Sequence, residues 1–293
     1  MLKIKNKFTF QSLIKDLSDF WKSRNCFSFQ SFDMKVGAGT SHPITCMYPL
    51  KKKKISLFYV QPSRRPADGI NFNFSTKLQH YYQFQVIIKP SPKNLQNLYL
   101  NSLKFIGFNT YENDIQFLED NWENPTLGAW GTGWEVRING LEVTQLTYFQ
   151  QLAGINCNPV IIEITYGLER MSMLLQKKKN IFNIRWDICK KNNLIKYKNI
   201  FYDFEFSNFI YNLIDLDNYF VFYCLNKQIK IAKKMIYLNK DLFFSAYEYL
   251  IQAIHNFNLI NARKLISDME KKRYILVIKD LITKITKIYI NKL

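Results

Sequence analysis

The stretch Glu163-Ile-Thr-Tyr-Gly-Leu-Glu-Arg170 decides the fold that this chain of 293 residues is expected to adopt. The order of its residues predicts a short buried strand, then a glycine, and then a helix that opens with Glu169 and Arg170. A guanidinium in the first turn of such a helix is well placed to bind phosphate, because arginine is permanently charged and helix N-termini favour anions. A G-x-E-R sequence alone is a weak signal, so its meaning depends on the segments upstream.

The composition is that of a globular chain with a sizeable core. The chain is 47% hydrophobic and 16% aromatic, and its length suggests one or two domains. It has no run of roughly 18 apolar residues, so no membrane span is expected, and its N-terminus lacks the apolar core of a signal peptide. The five cysteines form no C-x-x-C or Cys/His cluster, which argues against a zinc site or a disulfide framework and fits a reducing cytoplasm.

The net charge of +18 results from 41 Lys and Arg against 23 Asp and Glu. A polyanionic partner such as RNA is one interpretation of this excess. Compositional drift is the other, because Lys, Asn, Ile, Phe and Tyr are abundant together, as AT-rich coding would produce. The charge therefore supports an RNA partner without establishing one.

The chain divides into a mixed N-terminal part and a helical C-terminal part. Residues 1–175 mix short strands, turns and helices and are expected to form one domain. Residues 176–200 are polar and basic, as in a variable linker, and residues 201–293 are expected to form a helical domain. Within the helical part, residues 256–261 are predicted to connect two helices.

The first helix is expected from about Thr9 to Trp21, with Thr9 or Ser12 as its N-terminal cap. Apolar residues recur along it at helical spacing, and such a stripe faces either the core or a partner helix. The members of the stripe are Phe10, Leu13, Ile14, Leu17 and Phe20.

The clearest hairpin runs from Trp134 to Gln145. Asn139-Gly140 between two alternating runs predicts a two-residue type I′ turn. Ideal alternation then gives the cross-strand pairs Ile138 with Leu141, Arg137 with Glu142, Val136 with Val143, and Glu135 with Thr144.

The polar face of this hairpin has two interpretations. One is a solvated face with a cross-strand ion pair worth less than about 1 kcal/mol. The other is a carboxylate-bearing floor that holds Mg²⁺ on the phosphates of ATP. The second interpretation requires a β-bulge near Val143, because only a break in alternation lets Glu142 and Gln145 share one face.

Two further segments carry candidate ligand contacts. The loop Val36–Pro43 is built of small residues with hydroxyls, which allow a backbone to approach a ligand closely. Arg64 and Arg65 end one predicted strand, and the returning strand alternates around Phe84. An arginine could pair with the α-phosphate of a bent ATP while the Phe84 ring stacks on adenine, although an ordinary hairpin with a surface arginine pair explains the pattern equally well.

A polar run beside a tryptophan, Glu119–Pro125, is expected to form a loop. Pro125 and Gly128 favour a loop that closes over a ligand. A loop that caps a helix would explain part of the pattern as well.

In this order, the segments resemble one family, the alpha subunit of the bacterial heterotetrameric glycyl-tRNA synthetase, a class II aminoacyl-tRNA synthetase. The resemblance covers nearly the whole chain, and Gly167-Leu-Glu-Arg170 looks like the core of motif 3 of that class. The other segments that carry it are Asp33–Pro43, Tyr59–Arg65, Leu78–Pro92, Glu119–Trp130, Thr144–Phe149 and Ala246–Leu276.

The resemblance implies an α+β fold, in which an antiparallel sheet flanked by helices is followed by a C-terminal all-helical domain. It implies that ATP and glycine give glycyl-adenylate and pyrophosphate, and that glycine passes to the 3′ end of tRNA(Gly). It also implies ATP and Mg²⁺ as cofactors, an alpha homodimer with two beta subunits, and a cytoplasmic location.

The resemblance also implies roles for individual residues that contact ATP. Arg65, or its neighbour Arg64, matches the motif 2 arginine on the α-phosphate, and Arg170 matches the motif 3 arginine on the γ-phosphate. Phe84 matches the aromatic residue that stacks on adenine. The positions that commonly hold Mg²⁺ are matched by Glu142 and Gln145.

For glycine, we expect Glu163 to receive the ammonium group. Further partners of glycine are expected among Thr40, Thr165 and Gln79. A bulky side chain should fill the space of a larger amino acid, and Trp122 or Trp130 is suited to this by size and placement.

Residues 70–76 depart from the family, since related chains have a more polar, Arg-containing loop there that often contacts tRNA. Two other functions fit the residues. One is a tRNA-binding or assembly module without catalysis, and the other is an amino-acid–AMP ligase that never uses tRNA. The retention of both phosphate-matching arginines, Arg65 and Arg170, argues against the first.

Overall fold

The structure is a computed structural model that describes residues 8–52, 54–70, 76–188 and 194–292. A seven-stranded sheet with the order β1-β2-β3-β7-β6-β5-β4 forms its centre. All neighbouring strands are antiparallel except β1 and β2, which are parallel, so the α+β prediction is confirmed with a mixed sheet. The strands are β1 (Phe27–Ser28), β2 (Ile55–Arg64), β3 (His80–Lys89), β4 (Ile115–Asn124), β5 (Ala129–Ile138), β6 (Leu141–Leu152) and β7 (Ile155–Gly167).

Helices cover both faces of the sheet. The helices of the first part are α1 (Phe10–Lys22), α2 (Pro43–Cys46), α3 (Tyr48–Lys51), α4 (Leu95–Phe105) and α5 (Leu168–Leu175). The later helices are α6 (Lys198–Phe209), which continues into a π-helical turn (Ile210–Asp215), α7 (Asn218–Leu238), α8 (Phe243–Ala262) and α9 (Asp268–Asn291). None of the helices in the described ranges is long and apolar enough to span a lipid bilayer.

The sheet separates two hydrophobic cores. On one face, Phe84, Ile164 and Tyr166 pack against α1, α4 and α5. On the other face, residues such as Leu57 and Ile161 pack against α7, α8 and α9. The C-terminal helices thus cover one half of a sheet face and leave the rest of that face to other residues.

Along this second face, each central strand changes from apolar to polar. β3 passes from Ile87 to Gln85 and Gln83, and β7 passes from Ile161 to Glu163. Because side chains at every second position share a face, the polar positions gather beyond the edge of the helical core. The polar half of the face is where a ligand site can form.

The first helix begins as the sequence predicts. Thr9 caps α1 and accepts a hydrogen bond from the backbone N–H of Ser12, while the Ser12 hydroxyl accepts one from the backbone N–H of Thr9. Each of these two residues therefore satisfies one free N–H group of the first turn. The apolar stripe of α1 faces the core, with Phe10 and Leu17 fully buried.

The hairpin of β5 and β6 confirms the turn and the bulge but not the ideal register. Asn139 and Gly140 have φ values of 52° and 78°, as a type I′ turn requires. A bulge at Val143 shifts the pairing, so that Val136 lies opposite Thr144. The predicted pairs Val136 with Val143 and Glu135 with Thr144 are therefore wrong, because the extra residue moves each partner by one position.

Two loop predictions are wrong. The run Glu119–Pro125 belongs largely to the edge strand β4, and only its end forms the turn to β5. Residues 256–261, expected as a connector, lie inside α8, which ends at Ala262. Asn256 and Asn261 are tolerated there because apolar neighbours such as Phe257 and Ile260 are buried in the core, and tertiary packing outweighs weak helix propensity.

The segment 176–200, for which the sequence predicts a linker, contains a small hairpin of β8 (Arg185–Ile188) and β9 (Leu194–Lys196). Trp186 of β8 stacks on Phe10 of α1 with their ring centroids 4.7 Å apart. This part of the segment is therefore packed against the first helix. The domain boundaries near residues 175 and 201 stay predictions.

Candidate active site

A cavity of about 230 Å³ opens on the polar half of the sheet face. It brings together most of the predicted site residues from strands that are distant in sequence, and its lining includes Thr40, Arg65, Trp122, Glu142, Gln145, Glu163, Thr165 and Arg170. Two of the arginines expected to contact ATP thus face one cavity above a β-sheet floor.

Glu163 lies at the base of the cavity and is 2% exposed. Its carboxylate accepts hydrogen bonds from the Thr40 hydroxyl, at 2.8 and 2.9 Å, and from Gln85 Nε2 at 3.1 Å. The Thr165 hydroxyl in turn donates to Gln85 Oε1 and fixes the orientation of that amide. Burial raises the pKa of Glu163 to about 7, because the charged form loses its solvation. A cationic group of a ligand would stabilise the charged form of Glu163 in place of the lost water.

Arg65 is held at the rim of the cavity by two neighbours. Its Nε donates to the carbonyl oxygen of Gly37 at 2.9 Å, and its guanidinium carbon lies 5.1 Å from the centre of the Tyr81 ring. The Tyr81 hydroxyl donates to the same carbonyl oxygen. The small-residue loop therefore positions both the guanidinium and the aromatic ring.

Arg170 projects from the first turn of α5, with Gly167 at the N-cap, as the opening sequence predicts. Its Nη1 donates to Glu142 Oε2 at 2.8 Å and to the Glu142 carbonyl oxygen at 3.1 Å. The bulge at Val143 places Glu142 and Gln145 on the same cavity wall. Glu142, at the start of β6, thereby orients the guanidinium of Arg170 on α5.

Its neighbour Glu169 has a structural task. The Glu169 carboxylate accepts hydrogen bonds from the backbone N–H of Tyr82 at 2.9 Å and from the Tyr197 hydroxyl at 3.0 Å. Burial raises the pKa of this group to about 8. It joins α5 to strand β3, so the helix that carries Arg170 is tied to the sheet.

The structure places four candidate residues outside this cavity. Phe84 is fully buried on the opposite sheet face, where it stacks on Phe58, and a ring there cannot reach an adenine in the cavity. Arg64 points away from Arg65, because adjacent residues of a strand face opposite sides, and it lies against Phe204. Gln79 and Trp130 are likewise absent from the cavity wall.

Sequence reasoning missed three residues in or beside this cavity. Tyr81 and Gln83 line the cavity from β3, and Asp120 accepts a hydrogen bond from Gln145 Nε2 at 3.0 Å. Gln83 Oε1 accepts a hydrogen bond from the backbone N–H of Gly39 at 2.9 Å. Period-two alternation along β3 would have found Tyr81, since it shares a face with Gln83 and Gln85, whereas Phe84 does not.

The cavity wall presents oxygen donors of the kind that Mg²⁺ prefers. The described residues contain no group of three or more acidic, His or Cys side chains that could hold a metal ion. Mg²⁺ usually keeps several waters and needs only one or two protein oxygens when a substrate phosphate is present. Glu142 and Gln145 provide two side-chain oxygens on one wall, so the donor set fits an ion that arrives with a nucleotide triphosphate.

Comparison with known proteins assigns the chain to a family. A family model described as "Glycyl-tRNA synthetase alpha subunit" matches residues 10–293. The chain belongs to the glycyl-tRNA synthetase alpha subunit family. Among similar proteins of the glycyl-tRNA synthetase alpha subunit type is the "Glycine--tRNA ligase alpha subunit" of Wigglesworthia glossinidia brevipalpis. It is 50% identical over 286 residues, which cover 97% of this chain and 93% of that protein.

The similar solved structures share little sequence with this chain. One is PylSc, a pyrrolysyl-tRNA synthetase of Desulfitobacterium hafniense, with a TM-score of 0.44, 10% identity, and coverage of 62% of this chain and 74% of that one. A second structure of pyrrolysyl-tRNA synthetase from the same organism has a TM-score of 0.44, 11% identity, and coverage of 64% and 76%.

Proposed function

We propose that the cavity holding Arg65, Glu163 and Arg170 is where this chain activates glycine with ATP. As a member of its family the chain is the alpha subunit of a glycine–tRNA ligase, an enzyme that uses ATP. The observation that carries the proposal for the site is the meeting of both guanidinium groups and one buried carboxylate in a single cavity. Glycine is zwitterionic and ATP is anionic, so this charge distribution complements both.

The chemistry needs little from the protein besides position and charge. A carboxylate oxygen of glycine attacks the α-phosphorus of ATP, the bond from that phosphorus to the bridging oxygen breaks, and pyrophosphate leaves. Glycine is already ionised, so no general base is required. Arg65 and Arg170 stabilise the negative charge that develops on the phosphates, and Glu163 holds the ammonium group so that the carboxylate faces the α-phosphate.

The order of groups in the cavity follows from this assignment. Glu163 lies at the buried base, so glycine occupies the bottom, and Arg65 lies nearer the rim with the α-phosphate. Arg170 binds the γ-phosphate. Glu142 and Gln145 would hold Mg²⁺ together with the phosphates of ATP. The ion would supply further positive charge for the departing pyrophosphate.

The partners are proposed from the subunit type. We assign this chain a beta subunit, with which it charges tRNA(Gly), and an alpha homodimer within an α₂β₂ assembly. The net charge of +18 is compatible with an RNA substrate. A role in translation also places the chain in the cytoplasm.

The adenine ring is assigned to Tyr81 in place of Phe84. Tyr81→Ala should raise the KM for ATP by roughly tenfold, because stacking of a base on an aromatic ring is worth about 1–3 kcal/mol. Tyr81→Phe keeps the ring and should restore most of the affinity. Initial rates of glycine-dependent ATP–pyrophosphate exchange at varied ATP measure both.

Phe84→Leu is the matched control for the adenine assignment. It lies on the same strand as Tyr81 but in the core, so it should lower the melting temperature and leave the KM for ATP near that of wild type. A large rise in the KM of Phe84→Leu, with Tyr81→Ala unaffected, would return the stacking role to Phe84.

The amino-acid specificity is assigned to Trp122. This side chain lines the cavity and is fixed by an edge-to-face contact with Phe149, with their centroids 5.7 Å apart. Trp122→Ala should let alanine support ATP–pyrophosphate exchange, because a filled space rejects an extra methyl group by overpacking. Trp130→Ala is the control, since Trp130 lies outside the cavity and 43% exposed. If Trp122→Ala and Trp130→Ala both still exclude alanine, Trp122 is not the residue that sets the amino-acid specificity.

One assay tests the proposed function against its alternatives. Glycine-dependent ATP–pyrophosphate exchange should occur with this chain, alone or with its beta subunit, and not with serine in place of glycine. Absence of exchange in both settings would favour a binding or assembly module. Exchange without charging of tRNA(Gly) when the beta subunit is present would favour an amino-acid–AMP ligase.

A further inference from the structure

A second cavity, of about 420 Å³, lies on the other side of the strand end that carries Arg65. Arg64, Pro66 and Gln79 line this second cavity, whereas Arg65 and Leu78 line the first one. Adjacent residues of the same backbone therefore form the wall between the two cavities. A chain-like ligand that crosses this wall would contact both cavities.

The second cavity is positively charged. Lys35 and Arg64 are part of its lining, and no Asp or Glu is among the described residues that line it. Within the ranges that the structure describes, neither cation has a carboxylate partner within 4.0 Å. The nearby carboxylate of Glu205 accepts the backbone N–H groups of Gln79 and His80 at 3.0 and 2.8 Å. Lys35 is thus available for an anionic ligand, while Arg64 lies over the Phe204 ring and also interacts electrostatically with Glu205.

The remaining lining of the second cavity is aromatic and amide-rich. Phe204, Tyr211 and Phe220 expose 42%, 52% and 57% of their surfaces. The amides of Asn208, Asn212 and Asn256 also line it. Exposed rings stack on nucleobases, amides read base edges, and cations bind phosphates, which is the combination that single-stranded nucleic acid requires.

Gln79 and His255 add hydrogen-bonding groups to this wall. Gln79 is 3% exposed, and its Nε2 has no hydrogen-bond partner among the described residues, while its Oε1 accepts from Asn212. A buried donor without a partner is costly unless a ligand or water satisfies it. Burial and the charges of Lys35 and Arg64 lower the pKa of His255 to about 4, so its ring is neutral and can both donate and accept.

We propose that the second cavity binds one nucleotide of an unpaired RNA 3′ end, stacking its base among Phe204, Tyr211 and Phe220 and pairing its phosphate with Lys35 and Arg64. This rests on the proposed function, in which the last nucleotide of tRNA has to reach the adenylate in the first cavity. A volume of about 420 Å³ is in the range of small-ligand sites. The second cavity would then hold a preceding nucleotide and guide the strand across the shared wall.

The test separates glycine activation from glycine transfer. In the complex with the beta subunit, Lys35→Ala and Tyr211→Ala should each raise the KM for tRNA(Gly) by about tenfold, as loss of one stacking or phosphate contact predicts. Both variants should keep glycine-dependent ATP–pyrophosphate exchange within about twofold of wild type, because adenylate formation does not use this cavity. Fluorescence anisotropy can measure the binding of a tetranucleotide RNA with the sequence of the tRNA(Gly) 3′ end. Both variants should bind it more weakly than wild type.

Lys104→Ala and Tyr111→Ala are the matched controls, since both side chains are exposed and neither lines a cavity with these features. Unchanged tRNA kinetics and tetranucleotide binding in both test variants would overturn the proposal. An equal loss of exchange and transfer would also overturn it, because it would show a structural role for these residues. Loss of the beta subunit from the variants on a sizing column would overturn it as well, because it would show that this surface contacts the beta subunit. If wild type itself fails to catalyse exchange, the proposed function fails first and the tetranucleotide arm alone decides the binding site.

Discussion

Arg170→Ala should lower the rate of glycine-dependent ATP–pyrophosphate exchange by about a hundredfold to a thousandfold, the usual effect of removing one group that stabilises transition-state charge. The guanidinium begins α5, lines the same cavity as Arg65, and is oriented by Glu142. Lysine should not replace it, since an ammonium group cannot reproduce the planar fork that binds Glu142 and phosphate together. Stopped time courses with labelled pyrophosphate measure the loss.

Arg137→Ala is the control for this prediction. Arg137 lies on the same sheet, but its ion pair with Glu135, at 2.6 Å, lies outside the cavity and is partly exposed. Its removal should change exchange little, since such pairs contribute at most about 1 kcal/mol. Both variants should keep the wild-type melting temperature. Equal activity of the Arg170 and Arg137 variants would show that the cavity is not where ATP reacts.

The position of Arg170 could be predicted because its signals are local. A strand, a glycine and a helix start are encoded within eight successive residues, Glu163–Arg170, and no long-range contact changes that reading. The same holds for Thr9, whose hydroxyl caps the first helix, and for the Asn139-Gly140 turn. Each of these features depends on backbone geometry within a few residues.

The bulge at Val143 was predictable only from a functional requirement. Ideal alternation of the hairpin gives a wrong register beyond Arg137, and nothing in the local sequence demands an extra residue. The structure shows its consequence, because Thr144 turns toward the core and accepts a hydrogen bond from Tyr99. A requirement that Glu142 and Gln145 share one wall is what singles out the bulge.

Phe84 and Tyr81 show where the sequence alone falls short. Both are aromatic and three positions apart on β3, so period two assigns them to opposite faces, and only the polar neighbours Gln83 and Gln85 point to the face of Tyr81. That choice depends on the pairing of β3 with β7, where Gln85 lies opposite Thr165. Strand pairing between residues distant in sequence has no local signal, which is also why Arg64 and Arg65 could not be separated.

Glu163→Gln should raise the KM for glycine by about thirtyfold or more, since removing one member of a buried charge pair costs about 2–5 kcal/mol. The amide has the shape of the carboxyl group and can still accept the hydroxyl of Thr40, so the fold should persist. The KM for ATP should stay within about twofold, because glycine and ATP contact different ends of the cavity. Equal rises in both KM values would show that Glu163 holds the cavity together without binding the ammonium group.

The pH dependence of kcat/KM for glycine shows whether the charge of Glu163, and not only its shape, is needed to bind glycine. Burial raises the pKa of this carboxyl group to about 7 in the free enzyme, so the group becomes protonated as the pH falls through that value and loses its attraction for the ammonium group. In wild type, kcat/KM for glycine should therefore fall by about tenfold per pH unit below the pKa. Glu169 also has a raised pKa, about 8, but it is present in both proteins. Glu205, whose pKa burial raises to about 7, is likewise present in both. A limb near pH 7 that persists in Glu163→Gln would assign the titration to Glu169 or Glu205, whereas its loss identifies Glu163 as the group that binds glycine.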